Sequence, residues 1–84
     1  MTTLPVFREL DMVVMVHDRP EAGLRAGDLG ALVHLYAPDA FEVEFVTASG
    51  RTQAVVTLTS ADVRPVQDDD LLAVRSASAV RGAA

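Results

Sequence analysis

The sequence contains no cysteine, no lysine and no tryptophan, and its aromatic residues are three phenylalanines and one tyrosine. Without cysteine, neither a disulfide framework nor a thiolate metal site can supplement a small core. The same absence fits a reducing compartment. Without lysine, every basic residue is an arginine. Arg8, Arg19, Arg25, Arg51, Arg64, Arg75 and Arg81 are scattered along the chain, against 12 acidic residues, for a net charge of -5. A protein of that charge repels phosphate backbones unless its basic groups cluster, and these do not. Nucleic acid is therefore not the expected partner. No apolar run reaches the ~18 residues of a membrane span. Met1-Thr2-Thr3-Leu4-Pro5 lacks the basic start and apolar run of a secretory signal, so a cytoplasmic location is expected.

Catalytic signatures are missing too. The serines, Ser49, Ser60, Ser76 and Ser78, fall in expected turns or the tail, with no Gly-x-Ser-x-Gly elbow. Gly23, Gly27 and Gly30 fit neither a P-loop nor a dinucleotide fingerprint. Neither enzymatic activity nor a cofactor is expected.

What is present is one domain's worth of chain, 84 residues, half of them hydrophobic. That fraction is too high for a disordered protein. Residues 1–9 form a lead-in. Leu10 to His17 is a β-branched run bounded by charges, and predicts a strand without saying which face is buried. Asp18 to Asp28 is a loop punctuated by Pro20, Gly23 and Gly27, with Leu24 as the residue expected to fold back and plug an open end. Leu29 to Ala37 predicts a second strand, with Ala31, Val33 and Leu35 on one face and Leu32, His34 and Tyr36 on the other. Phe41-Glu42-Val43-Glu44-Phe45-Val46 alternates with period two, which turns the aromatics and Val43 inward and the glutamates to water. A hairpin turn at Ala48 to Arg51 leads to a strand over Thr52 to Thr59. Ser60-Ala61-Asp62 suggests a single 3₁₀ turn, and Val63 to Val66 a last strand where Pro65 suits an edge. Five short strands with a long early loop predict an all-β, five-stranded SH3-like barrel over residues 10–66; an open four-stranded sheet is the alternative. In the tail, residues 67–84, Leu71, Leu72, Val74, Ala77 and Val80 follow Asp68, Asp69 and Asp70 at roughly helical spacing. Arg75, Arg81 and Gly82 follow late, so a short helix or a frayed tail is expected.

Two stretches carry a resemblance. One is Leu10 to Val14 followed by Pro20 to Gly30. The other runs from Tyr36 through Phe41 to Val46, Gly50 to Thr52 and Ala54 to Leu58, and closes on Val63 to Val66. The chain resembles, over residues 9–66, a family of small bacterial domains of unknown function of SH3-like shape. The resemblance implies a fold and little chemistry. Some members of that family are encoded beside toxin-like genes, which implies antitoxin or immunity roles. Gly27 to Val33 also looks like the start of a KOW motif, found in SH3-like domains that bring basic residues to RNA; this acidic chain departs from it.

Candidate site residues follow from exposure and chemistry. His17 and His34, on strands expected to be neighbours, could approach Asp18, but no ligand spacing supports a metal, and none is expected. Glu42 and Glu44 share one face about 7 Å apart. That is an ordinary solvated strand face or a surface for a basic protein. The loop residues Asp18, Arg19 and Glu21, the pair His34 and Tyr36, and the apolar Leu71 and Leu72 of the tail complete the candidate partner-binding set. The tail could also pair two copies. The expected function is a non-catalytic protein-binding module, the antitoxin or immunity partner of a toxin-like protein. The alternatives are a KOW-like nucleic-acid-binding domain and an accessory domain of an enzyme complex.

Overall fold

The computed structural model describes residues 7–77. Its five strands are β1 (Met12–Met15), β2 (Leu29–Tyr36), β3 (Ala40–Val46), β4 (Thr52–Leu58) and β5 (Val63–Pro65). They form one antiparallel sheet in the order β4-β3-β2-β1-β5. The all-β, five-stranded expectation holds, and the barrel does not. Closure would require β4 to hydrogen-bond to β5, whereas these are the two outermost strands of an open sheet. β5 has only three residues, its ladder goes to β1, and it ends in Pro65, which has no N–H to offer.

The core lies on the face that β3 dictates. Phe41, Val43 and Phe45 are buried, as their alternation requires, against Val13, Met15, Leu32, Leu58 and Val63. Leu24 reaches back from the loop and is 2% exposed, and Phe7 stacks on Phe41 with ring centroids 4.8 Å apart. Each such side chain contributes roughly 1.5–3 kcal/mol by leaving water.

A bulge in β2 changes the expected facing of that strand. Leu32 lies opposite Val43, but the next registered pair is His34 opposite Glu42, with Val33 as the extra residue. One added residue moves everything beyond it to the other face. Leu32 is therefore core, while His34 and Tyr36 face outward; the expectation that all three share a face is corrected.

The loop before β2 is organised by its own residues. Pro20–Ala22 is a single 3₁₀ turn ended by Gly23 at φ 72°, and Arg19 and Leu24 bridge across it. At Ser60 to Asp62, where a 3₁₀ turn was expected, the chain makes a simple turn.

Four turns share one construction. In Arg8 to Asp11, Arg25 to Asp28, Thr59 to Asp62 and Gln67 to Asp70, the aspartate N–H donates to the carbonyl of the first residue. The same aspartate's carboxylate accepts the first residue's N–H, at 2.7–2.9 Å. The pairing is reciprocal, like a helix capping box without the helix. It completes the hydrogen bonding of backbone that no ladder serves.

The tail has no regular secondary structure over residues 71–77, and the expected helix does not form there; Val80, Arg81 and Gly82 lie outside the described residues. Leu71 is 93% and Val74 98% exposed, so helical spacing would have gained no buried face. Polar anchors fix the path instead. Arg64 forks onto both carboxylate oxygens of Asp70 at 2.8 Å, and Arg75 forks onto Asp28 at 2.6 and 2.7 Å.

Gly30 lies directly against the core. A Cβ there would lie 2.7 Å from Phe45 Cε2 and 2.7 Å from Val43 Cγ1, both deep in the core. Gly30→Ala is expected to lower unfolding free energy by about 1–3 kcal/mol, read as a drop in the urea midpoint at unchanged slope. An unchanged midpoint would contradict this packing.

Candidate functional site

Strand register assembles a flat outer face. One row runs Met12, Ala31, Glu44, Val55 across β1, β2, β3 and β4. A second runs His34, Glu42, Thr57 across β2, β3 and β4. Tyr36 closes that row: its hydroxyl donates to Glu42 Oε1 at 3.1 Å and its ring meets His34 edge-on at 4.6 Å. Glu42, as acceptor and as charge, pushes the Tyr36 phenol above its ordinary pKa. Thr52 Oγ1 donates to Glu44 at 2.6 Å. Met12, Tyr36 and Val55 remain close to half exposed among these carboxylates.

The turn before β1 borders this face. Leu10 N–H donates to the Leu32 carbonyl, and the Glu9 carboxylate lies 3.7 Å from His34 Nδ1. Leu10 itself has φ 71°, the left-handed region, and is 77% exposed. In the homologous turn position of Arg25 to Asp28 the chain places Gly27, at φ 94°. A glycine suits that geometry and a leucine does not.

A second cluster surrounds Asp62 at the opposite end of β1. His17 Nε2 lies 2.7 Å from Asp62 Oδ1, and His17 Nδ1 lies 3.0 Å from the Asp18 carbonyl. Both partners only accept, so the two contacts together favour the protonated imidazole, which can donate from both ring nitrogens. The Asp18 carbonyl first, and then the Asp62 carboxylate, raise the His17 pKa against a smaller opposing effect of Arg19. Partial burial works to raise Asp62, but the Thr59 N–H, His17 and the Thr59 hydroxyl outweigh it and bring the pKa below the usual range. Asp28 follows the same pattern, with burial opposed by Arg75 and the Arg25 N–H. Asp70, gripped by Arg64 and the Gln67 N–H, falls to about 2.

The candidates named from sequence separate into three places. His34, Tyr36, Glu42 and Glu44 come together on the outer face. Asp18, Arg19 and Glu21 lie in the loop, where Asp18 Oδ1 accepts the Ala26 N–H at 2.9 Å and Arg19 lies between Glu21, at 3.6 Å, and Asp62, at 3.8 Å. Leu71 and Leu72 stand exposed on the tail. The two histidines do not meet: His17 follows the end of β1 and His34 lies beyond its start, at opposite ends of the β1–β2 pair. No group of three or more potential metal ligands forms among the described residues. A groove of about 310 Å³ between tail and sheet is lined by Leu24, Leu29, Phe45, Gln53, Ala73 and Arg75 among others; Arg75 and Asp28, its charged groups, bind each other. Sequence reading passed over Leu10, Asp28, Asp62, Asp70, Arg64 and Arg75. The aspartates had a signal, the repeated X-x-x-Asp spacing at turns; the arginine partners, up to 47 residues away, had none.

Among the described residues no helix is long and apolar enough to cross a membrane. A family model described as a domain of unknown function, DUF4926, matches residues 9–65. No curated protein and no solved structure matches the chain.

Stability should follow these carboxylates and His17 through pH. Asp28, Asp62 and Asp70 have lowered values, so their contribution is present above the unfolded value near 3.8 and is lost as pH falls, for Asp70 toward about 2. His17 has a raised value, so its contribution is complete below the ordinary 6.5 and is lost as pH rises through the folded value. The urea midpoint should therefore be highest between about pH 4 and 6.5. His17→Gln should abolish the alkaline decline; its persistence would show that another group causes it.

Proposed function

Because the chain belongs to the DUF4926 family, whose description assigns no activity, its own surface must suggest the role, and we propose a non-catalytic protein-binding module that presents its outer sheet face to a basic protein. One observation carries this reading. Leu10 is a large apolar side chain held at positive φ and left in water, in the turn that leads into β1 and borders a face carrying Glu42 and Glu44, with Glu9 next to it in the chain. A left-handed conformation costs a non-glycine residue about 1–2 kcal/mol. The turn's backbone hydrogen bonds offset part of that cost, but the Leu10 side chain stays 77% exposed, and an apolar pocket on a partner would bury it. Anchors of this kind, ringed by polar groups, dominate protein interfaces. The carboxylates then steer a positively charged partner into register. A toxin-like protein with a basic working surface fits that chemistry, and the domain would act as its antitoxin or immunity partner by masking it.

The nucleic-acid reading has less behind it. Arg19, Arg64 and Arg75 are already paired with carboxylates, and the exposed sheet face is acidic. The reading as an accessory domain of an enzyme complex uses the same face and predicts a different partner, not a different surface.

The test uses two variants with opposite expected effects on stability and binding. Leu10→Gly should raise the melting temperature, since the strain disappears and no core contact is lost. It should also reduce recovery of a stoichiometric partner from the native host at native expression levels. Glu42→Lys with Glu44→Lys should reduce recovery without the gain in stability. Repeated recovery of the wild-type chain alone would overturn the proposal, and so would a partner retained undiminished by all these variants.

A further inference from the structure

The two edges of the sheet are treated differently. β5 is three residues long, contains Arg64 and Pro65, and runs directly into the tail that Arg64 ties down through Asp70. Short length, charge and proline are the usual means of keeping an edge from pairing. β4 has none of these. It is seven residues long, and from Thr52 to Ala61 the chain carries no charge and no proline. Its one irregularity is the extra residue Gln53, between the pairs Phe45–Ala54 and Val46–Thr52. Among the described residues, Ala54 to Leu58 forms a regular edge, β-branched at Val55, Val56 and Thr57, whose outer side pairs with no strand.

We infer that this edge pairs with the same edge of a second copy, antiparallel about a two-fold axis near Val56, to give a continuous ten-stranded sheet. In that register Ala54 faces Leu58 of the second copy, and Val55 faces its Thr57. The uncharged stretch is what makes the strand self-complementary: no like charges lie opposite one another across the axis. The nearest outward carboxylates, Glu42 and Glu44, stand one strand back on β3. Three strand spacings separate them from their counterparts, roughly 14 Å, which exceeds the screening length of about 8 Å in physiological salt. The net charge of -5 on each chain thus leaves the junction itself unopposed. Val55, 48% exposed, gains the methyl group of the second copy's Thr57 as a cross-strand neighbour. A small domain without disulfides gains most from such an extension.

Sedimentation equilibrium on the full chain, from about 10 µM to about 1 mM, should show apparent mass rising toward twice the 8.9 kDa of one chain, as a small interface permits. Val55→Lys and Thr57→Lys, both at outward positions, should each weaken association at least tenfold while leaving the circular dichroism spectrum intact. Because the chain has no cysteine, the double variant Val55→Cys with Thr57→Cys should cross-link into a dimer under mild oxidation, and either single variant far less. A monomer at every concentration overturns the inference. So does a dimer indifferent to both lysine variants, or one lost only on Leu71→Ser with Leu72→Ser, which would place the contact on the tail. Leu10→Gly leaves β4 untouched, so this inference and the partner-binding reading fail separately.

Discussion

The carboxylate of an aspartate accepting the backbone N–H three residues before it is the interaction on which the architecture rests. It occurs at Asp11, Asp28, Asp62 and Asp70, and the first three stand directly before β1, β2 and β5. An open sheet of short strands leaves much backbone outside its ladders, and every unpaired group there is a loss. These turns satisfy that backbone from side chains one turn away. The starting points of β1, β2 and β5 are thus held by hydrogen bonds local in sequence. Three of the four carboxylates then take a cation: Asp28 from Arg75, Asp62 from His17, Asp70 from Arg64. The tail reaches its place because turns already present offer it two anchors.

This changes the meaning of the net charge. A balance of seven basic to twelve acidic residues suggests a broadly negative surface. In the folded chain much of that acidity is structural. Asp18 and Asp39 also accept backbone N–H groups, from Ala26 and Ser60. The carboxylates that face outward on the sheet, Glu42 and Glu44, are few, and they sit beside exposed Met12, Tyr36 and Val55 rather than in a continuous acidic field. Recognition on such a face depends on shape and anchoring as much as on long-range attraction.

Local pattern was legible, and long-range geometry was not. The alternation of Phe41 to Val46 placed three core residues correctly because period two is a property of one strand alone. Leu24 is legible as the buried residue of the loop because it is the one large apolar side chain there. Pro65 was placed at an edge for want of an N–H. The barrel failed because closure depends on whether β5 has length enough for two neighbours, which no single segment reports. The helical tail failed because spacing without a surface to cover does not make a helix, and the anchors that hold its path, Asp28 and Arg75, lie 47 residues apart. Half of the outer face was visible as Glu42 and Glu44. The rest depended on the bulge at Val33, which turns His34 and Tyr36 outward, and on the backbone conformation of Leu10; neither leaves a mark in residue type.

Leu10 and Gly27 occupy equivalent positions in two of the turns. Two of the four turns, Arg8 to Asp11 and Arg25 to Asp28, place their third residue in the left-handed region; one has glycine there and the other leucine. Domains of this size are stable by only about 5–15 kcal/mol, so a strained and solvent-exposed leucine is a measurable fraction of the whole. The β4 edge presents the same pattern: an uncharged strand left open where the opposite edge is guarded. Side-chain choices that disagree with the isolated fold, in a chain whose turns otherwise agree with it closely, mark where the isolated fold is not the working state. Leu10 and β4 are such places, on different parts of the sheet, and the two proposed contacts, a basic partner at Leu10 and a second copy at β4, each supply what the isolated domain does not.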